Sequence, residues 1–306
     1  MSLLLFGITA SVAAAPFACE AMRQPMSSVI QEGAPGELVD LPMGHTHFRW
    51  SGNEDGPVAV CIHGLSTPSY IFAGTELTLA ALGYRVLTYD LYGRGYSDRV
   101  SGKQSLDFFL RQLRDLLESQ NIGRPITVVG YSMGGAIATA FAAEEGKNVK
   151  SLILMAPSGL IPTSDMPLSR LWTMPVAGDW LTLVAGGWAL RRELAGQIED
   201  PTIVPDLLDR QAAETGMRGY LPALLSSRRH TLNRTLEDDH IAIRDYKTPV
   251  LSVWGADDPI IPIRSMALLS ELNSHAHHFE IKGAGHAFPQ THPAKVTEAF
   301  RGFLES

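Results

Sequence analysis

The stretch from Ile126 to Ala143 constrains the fold of this chain more than any other. Ile126-Thr127-Val128-Val129 is a short apolar, β-branched run, the composition of a buried strand. Ala136-Ile137-Ala138-Thr139-Ala140-Phe141-Ala142-Ala143 is rich in good helix formers. Between them stands Gly130-Tyr131-Ser132-Met133-Gly134-Gly135. A chain that turns from strand to helix within so few residues needs small neighbours, because a Cβ at Gly130 or Gly134 would strike the adjoining element. Such a turn lifts the Ser132 hydroxyl out at the end of a sheet, which makes it a candidate nucleophile. The same residues also fit a glycine-rich turn whose serine caps the following helix.

The chain around this stretch alternates in the same way. His45–Trp50 has the period of a strand, and Ser51–Pro57 is a turn cluster. Val58-Ala59-Val60-Cys61-Ile62 is a continuous apolar run, as expected for a strand covered on both faces. A helix fits Ser69–Leu82, stopped by Gly83, and a strand fits Arg85–Tyr89. Leu106, Phe109, Leu110, Leu113, Leu116 and Leu117 recur at helical spacing, and Gly123-Arg124-Pro125 breaks the pattern. Val149–Met155 is another buried strand. Pro157 to about Arg244 holds no clean strand and reads as a mostly helical insertion. Pro249–Gly255 returns to strand, followed by a helix at Ser265–Leu272, a strand at His277–Ile281 and a last helix at Pro293–Leu304. Alternation of this kind predicts an α/β fold: a mostly parallel central sheet with helices on both faces.

The net charge of −7 comes with no basic cluster, which argues against nucleic acid as a partner. Cys19 and Cys61 supply neither a disulfide framework nor a zinc pattern. His275, His277 and His278 crowd the start of one strand but point in different directions, so no metal site is expected there. His230, His240 and His292 are expected at the surface. Leu3–Ala18 is uncharged and short for a membrane-spanning helix, which needs roughly 20 apolar residues. It fits three fates: a membrane-associated helix, a helix packed on the domain, or a cleaved signal with Ala13-Ala14-Ala15 as its small-residue site. The first positive charge, Arg23, follows the apolar stretch, which favours a cytoplasmic catalytic domain if the segment inserts.

A serine hydroxyl needs a base within hydrogen-bond reach, and the base needs an orienting acceptor. In parallel sheets reactive groups gather at the carboxyl ends of strands. Four places qualify: His63, Asp90, Asp257/Asp258 and His286. The order Ser132, Asp258, His286 matches the nucleophile–acid–base order of such a sheet.

These residues resemble the α/β-hydrolase superfamily, over about residues 40–160 and 245–306. The resemblance is carried by His63-Gly64, Asp90-x-x-Gly93-x-Gly95-x-Ser97, Gly130-x-Ser132-x-Gly134, Gly255-x-x-Asp258 and Gly285-His286. It implies Ser132 as nucleophile, His286 as general base and Asp258 as orienting acid, its Gly-x-x-Asp spacing preferring Asp258 to Asp257. It implies an oxyanion hole from the backbone N–H groups of Met133 and Leu65, with His63 and Gly64 shaping that loop and Asp90 holding the glycine-rich loop. No cofactor is implied. The expected organisation is an apolar N-terminal segment at 1–25, a core at 40–157 and 245–306, and a helical cap at 158–244, inserted before the penultimate strand. Trp172, Trp180 and Trp188 in that cap suggest an apolar substrate chamber. The resulting expectation is a carboxylesterase or monoacylglycerol-lipase-like serine hydrolase acting on an apolar small-molecule ester with a medium or long acyl chain. A carbon–carbon or lactone hydrolase using a cap arginine (Arg191, Arg192, Arg228 or Arg229), an acyltransferase, and a non-catalytic binding protein of the same fold are the alternatives.

Overall fold

The computed structural model describes residues 2–123, 125–162, 169–196 and 202–306. Arg124 of the expected helix breaker, and parts of the expected cap, lie outside the described residues. Eight strands form one sheet: β1 (Glu37–Leu41), β2 (Gly44–Gly52), β3 (Val58–Ile62), β4 (Arg85–Tyr89), β5 (Ile126–Tyr131), β6 (Val149–Met155), β7 (Val250–Gly255) and β8 (His277–Ile281). Their order is β1-β2-β4-β3-β5-β6-β7-β8. β1–β2 and β2–β4 are antiparallel, and every other neighbouring pair is parallel. The expected α/β fold with a mostly parallel sheet is therefore the observed one. The chain runs outward from β3 to β4, then crosses back to place β5 on the other side of β3. That reversal opens a crevice at the carboxyl ends of β3 and β5, where open α/β sheets bind ligands.

The helices are α1 (Ser2–Ala21), α2 (Ser28–Glu32), α3 (Ala73–Ala81), α4 (Leu106–Ser119), α5 (Met133–Glu145), α6 (Ser169–Thr173), α7 (Ala177–Ala195), α8 (Leu207–Glu214), α9 (Tyr220–His230), α10 (Glu237–Tyr246), α11 (Arg264–Leu272), α12 (Phe288–Thr291) and α13 (Pro293–Leu304). The six apolar positions of α4 named above are all buried, and Ser105 Oγ caps the helix by accepting from the Phe108 N–H at 3.4 Å. Burial of this kind contributes about 1.5–3 kcal/mol per large apolar side chain. β5 is buried at every position, and α5 is buried from Met133 through Ala142. The middle of the sheet is thus clamped on both faces, which fixes the strand–turn–helix junction rigidly.

Three features depart from the expectations above. β1 is an edge strand joined to β2 by a two-residue turn, Pro42-Met43, and its mixed burial carries no continuous apolar run to signal it. His240, expected at the surface, is 1% exposed. It sits on α10, which packs against α5 and α11, and burial pulls its pKa down to about 4. α10 therefore crosses from β6 back to β7 against the sheet, while α6–α9 stand apart from it. The excursion is closed at its neck: the Leu236 N–H donates to the Gly159 carbonyl at 2.8 Å.

α1 packs on α7. Trp180 Nε1 donates to the Val12 carbonyl at 2.8 Å, and Arg23 Nη2 to the Leu183 carbonyl at 2.7 Å. Gln24 and Gly216–Arg218 exchange backbone bonds at 2.9 and 2.8 Å. No helix among the described residues is long and apolar enough to cross a membrane.

Candidate active site

Ser132 lies between β5 and α5 with φ 54° and ψ −117°, a backbone conformation that side chains rarely adopt. Such strain costs on the order of 1–3 kcal/mol and persists only where surroundings enforce it. Here they do. The Ser132 N–H donates to Met155 at 2.9 Å, and its carbonyl accepts from Gly135 and Ser158 N–H groups at 2.9 and 3.0 Å. Its side chain makes no capping bond to α5, so the helix-cap alternative fails. Instead Ser132 Oγ lies 3.0 Å from His286 Nε2, and His286 Nδ1 lies 2.7 Å from Asp258 Oδ2. With Nδ1–H donating to the carboxylate, Nε2 presents its lone pair to the hydroxyl.

Each partner is placed by the end of a different strand. Asp258 follows β7, and its Oδ1 accepts the Ile260 and Ile261 N–H groups at 2.7 and 2.9 Å. These two bonds fix the carboxylate and leave Oδ2 for the imidazole. Asp257, its rival in the sequence, is exposed. His286 follows β8, and its ring stacks on Tyr131, with centroids 5.2 Å apart and planes at 29°. The Tyr131 hydroxyl donates to the His286 carbonyl at 3.0 Å, so the residue before the serine also holds the imidazole loop.

Met133 opens α5, where the first N–H groups of a helix have no intrahelical acceptor. Leu65 follows β3, and its loop is held from below. His63 Nδ1–H donates to Gly64 O at 2.8 Å, while Nε2 accepts the Leu91 N–H at 2.9 Å. Burial pulls His63 down to about 4, so the ring stays neutral and keeps that tautomer. Asp90 is buried and accepts from His47 (2.8 Å), Ser69 N–H (2.8 Å) and Tyr96 N–H (3.0 Å). It braces the glycine-rich loop, as expected from the sequence. Above Ser132 and His286 lies a cavity of about 410 Å³, roofed by α7 and α9. Trp172 lines it, whereas Trp180 faces α1 and Trp188 is 63% exposed.

The family model of the alpha/beta hydrolase family matches residues 59–299. The chain belongs to this family. Lipase 1 of Psychrobacter immobilis is 28% identical over 269 residues, covering 85% of this chain and 81% of that protein. A 2-hydroxy-6-oxononadienedioate/2-hydroxy-6-oxononatrienedioate hydrolase of Cupriavidus pinatubonensis is 29% identical over 255 residues, 76% of this chain and 83% of that one. The crystal structure of a membrane phospholipase A, a bacterial virulence factor, superposes with a TM-score of 0.70 over 99% of this chain and 96% of its own, at 20% identity, a likeness of fold.

Two residues of this alpha/beta hydrolase escaped the sequence reading. Arg94, fully buried between Gly93 and Gly95, donates from Nε to the Leu65 carbonyl at 3.0 Å and from Nη2 to Ser227 Oγ at 2.8 Å. It ties the loop after β3 to α9. Glu214 of α8 accepts the Gly95 N–H at 3.0 Å and lies 3.8 Å from Arg99. Burial is the largest influence on Glu214 and, against the opposing charge of Arg99, raises it from 4.5 to about 7. Between those values the unfolded chain binds fewer protons than the folded one, so this group's contribution to stability falls as pH rises. The loss is about 3 kcal/mol. Glu214→Gln keeps an acceptor for Gly95 and removes the titration. Its stability relative to the parent is expected to grow by about 3 kcal/mol between pH 4.5 and 8 in paired urea titrations; a difference that stays flat with pH would contradict the buried carboxyl.

Proposed function

We propose that this alpha/beta hydrolase cleaves carboxylic esters through an acyl-enzyme. In this reading His286 Nε2 takes the proton as Ser132 Oγ attacks the ester carbonyl, and Asp258 stabilises the imidazolium that forms. The N–H groups of Leu65 and Met133 receive the developing oxyanion, a contribution of a few kcal/mol per donor. The imidazolium then protonates the leaving alkoxide; a water deprotonated by the same Nε2 attacks the acyl-enzyme, and that proton passes to Ser132 Oγ as the Oγ–acyl bond breaks and the acid leaves. The observation that carries this reading is the unbroken Ser132–His286–Asp258 hydrogen-bond line on the cavity floor. The lining is largely apolar, with Leu190, Leu221, Leu224 and Ile260 among it, which supports an apolar acyl chain. The similarity to Lipase 1 points the same way.

The test is a panel of p-nitrophenyl esters graded by acyl length, combined with fluorophosphonate labelling. Expected are labelling at Ser132 and a preference for medium or longer chains. A second reading, hydrolysis of a carbon–carbon bond or a lactone by the same residues, is favoured by the similarity to the oxononadienedioate hydrolase. Labelling of Ser132 without turnover of any ester would select it.

A further inference from the structure

Two adjacent arginines on α9 have opposite surroundings. Arg229 is saturated: its Nη1 and Nη2 each donate to Asp179 at 2.9 Å, and Nε and Nη2 reach the Thr173 and Met174 carbonyls at 3.0 and 2.8 Å. Arg228 has no hydrogen bond and no ion pair among the described residues. The helix explains the contrast. Leu221, Leu224, Leu225 and Arg228 stand at i, i+3, i+4 and i+7, one stripe of α9, and all four line the cavity above Ser132. Arg229 is rotated off that stripe towards α7.

Arg228 is thus a guanidinium on the wall of a largely apolar chamber. It is half-buried, and none of its nitrogens is among the buried unpartnered atoms, so its donors face the open space of the cavity. Burial is what lowers the pKa of Arg228, with the charge of Glu193 acting against it. Glu193, from the last turn of α7, lines the same cavity. The guanidinium keeps its planar fork of donors available to a ligand. Arg94, the fully buried arginine beneath the same helix, shows the alternative, with its donors spent on Leu65, Tyr92, Gln104, Ala223 and Ser227.

We propose that Arg228 receives an anionic substituent, carboxylate or phosphate, carried by the ester substrate. The enzyme then selects charged over neutral esters of the same length. The apolar stripe of α9 takes the chain, and Arg228 at its end takes the charge. This rests on the ester-hydrolase reading above and deepens it, and the experiment separates the two.

Binding is measured by calorimetry to the Ser132→Ala protein, which removes turnover from the readout. One probe pair is the monomethyl and dimethyl ester of the same long dicarboxylic acid, which differ by one charge. The other pair is a monoacylglycerol and the same lipid bearing a glycerol phosphate. At least a tenfold preference for the charged member is expected in one pair, and which pair shows it identifies carboxylate or phosphate as the group recognised. Arg228→Met is expected to abolish the preference while leaving the neutral probe within threefold, and Arg228→Lys to keep part of it. Equal binding of charged and neutral probes overturns the proposal without recourse to any Arg228 variant. So does a preference that survives Arg228→Met. Turnover of neutral esters by the Ser132 protein without a charge preference leaves the hydrolase reading standing and sinks only the role of Arg228. A preference without any ester turnover does the reverse.

Discussion

Replacing Ser132 with alanine is expected to lower kcat for a p-nitrophenyl ester by about 10⁴–10⁶-fold, with the melting temperature almost unchanged. The two halves of this expectation have separate origins. Removing Oγ ends the line to His286 Nε2 at 3.0 Å, and no other hydroxyl is described at that nitrogen. The strained backbone at φ 54° is enforced by the bonds to Met155, Gly135 and Ser158, all made by main-chain atoms of residue 132 that alanine retains. A surface-like change in stability, within about 0.5 kcal/mol, follows. In the acyl-enzyme reading the three residues act as one unit, so adding His286→Ala in the Ser132→Ala background is expected to cost little more. Rates for parent and Ser132→Ala that agree within error would end the acyl-enzyme reading altogether.

The largest effect on stability is expected at Gly134. A Cβ there would lie 1.9 Å from the Ile62 carbonyl oxygen and 2.5 Å from that of His63. Both are backbone atoms at the end of β3, so neither can swing aside as a flexible side chain would. Relief requires α5 to move away from β3, yet α5 is buried over ten successive residues. Gly134→Ala is therefore expected to cost more than about 4 kcal/mol, or to leave no folded protein. Gly285→Ala is the matched control: nothing lies within 4 Å of its added Cβ, although it adjoins His286. Denaturant midpoints for the pair check this, and a Gly134→Ala protein as stable as the control would mean that α5 is far less tightly seated than its burial implies.

Legibility in the sequence followed the range of the interactions. The β5–α5 junction, the buried strands and the stripe of α4 depend on neighbours a few residues apart, and their periodicity exposes them. Asp258 and His286 were legible because parallel strands end on one side, which narrows the search to a few positions. β1 was missed because an edge strand needs no apolar run. His240 was misplaced because a lone histidine in a polar helix, Glu237–Tyr246, gives no local sign that its face meets α5. Arg94 and Arg228 look alike in the sequence, each an arginine in a loop or helix. What separates them is whether Ala223 and Ser227, more than 120 residues from Arg94, fold back onto it. The tryptophans illustrate the same limit: composition pointed to an apolar chamber, but Trp172 alone of the three lines it.

The hydrogen bond between Leu236 and Gly159 brings the two ends of the helical excursion together. The chain leaves β6 and comes back towards β7 through this neck, so a change of length within the excursion leaves the pairing of β6 with β7 in place. Doubling a closed loop adds only about 0.6 kcal/mol of closure entropy. Changes of length are expected to be tolerated best in stretches of the excursion that bond to none of the strand-end loops, unlike α8 and α9, whose Glu214 and Ser227 hold Gly95 and Arg94.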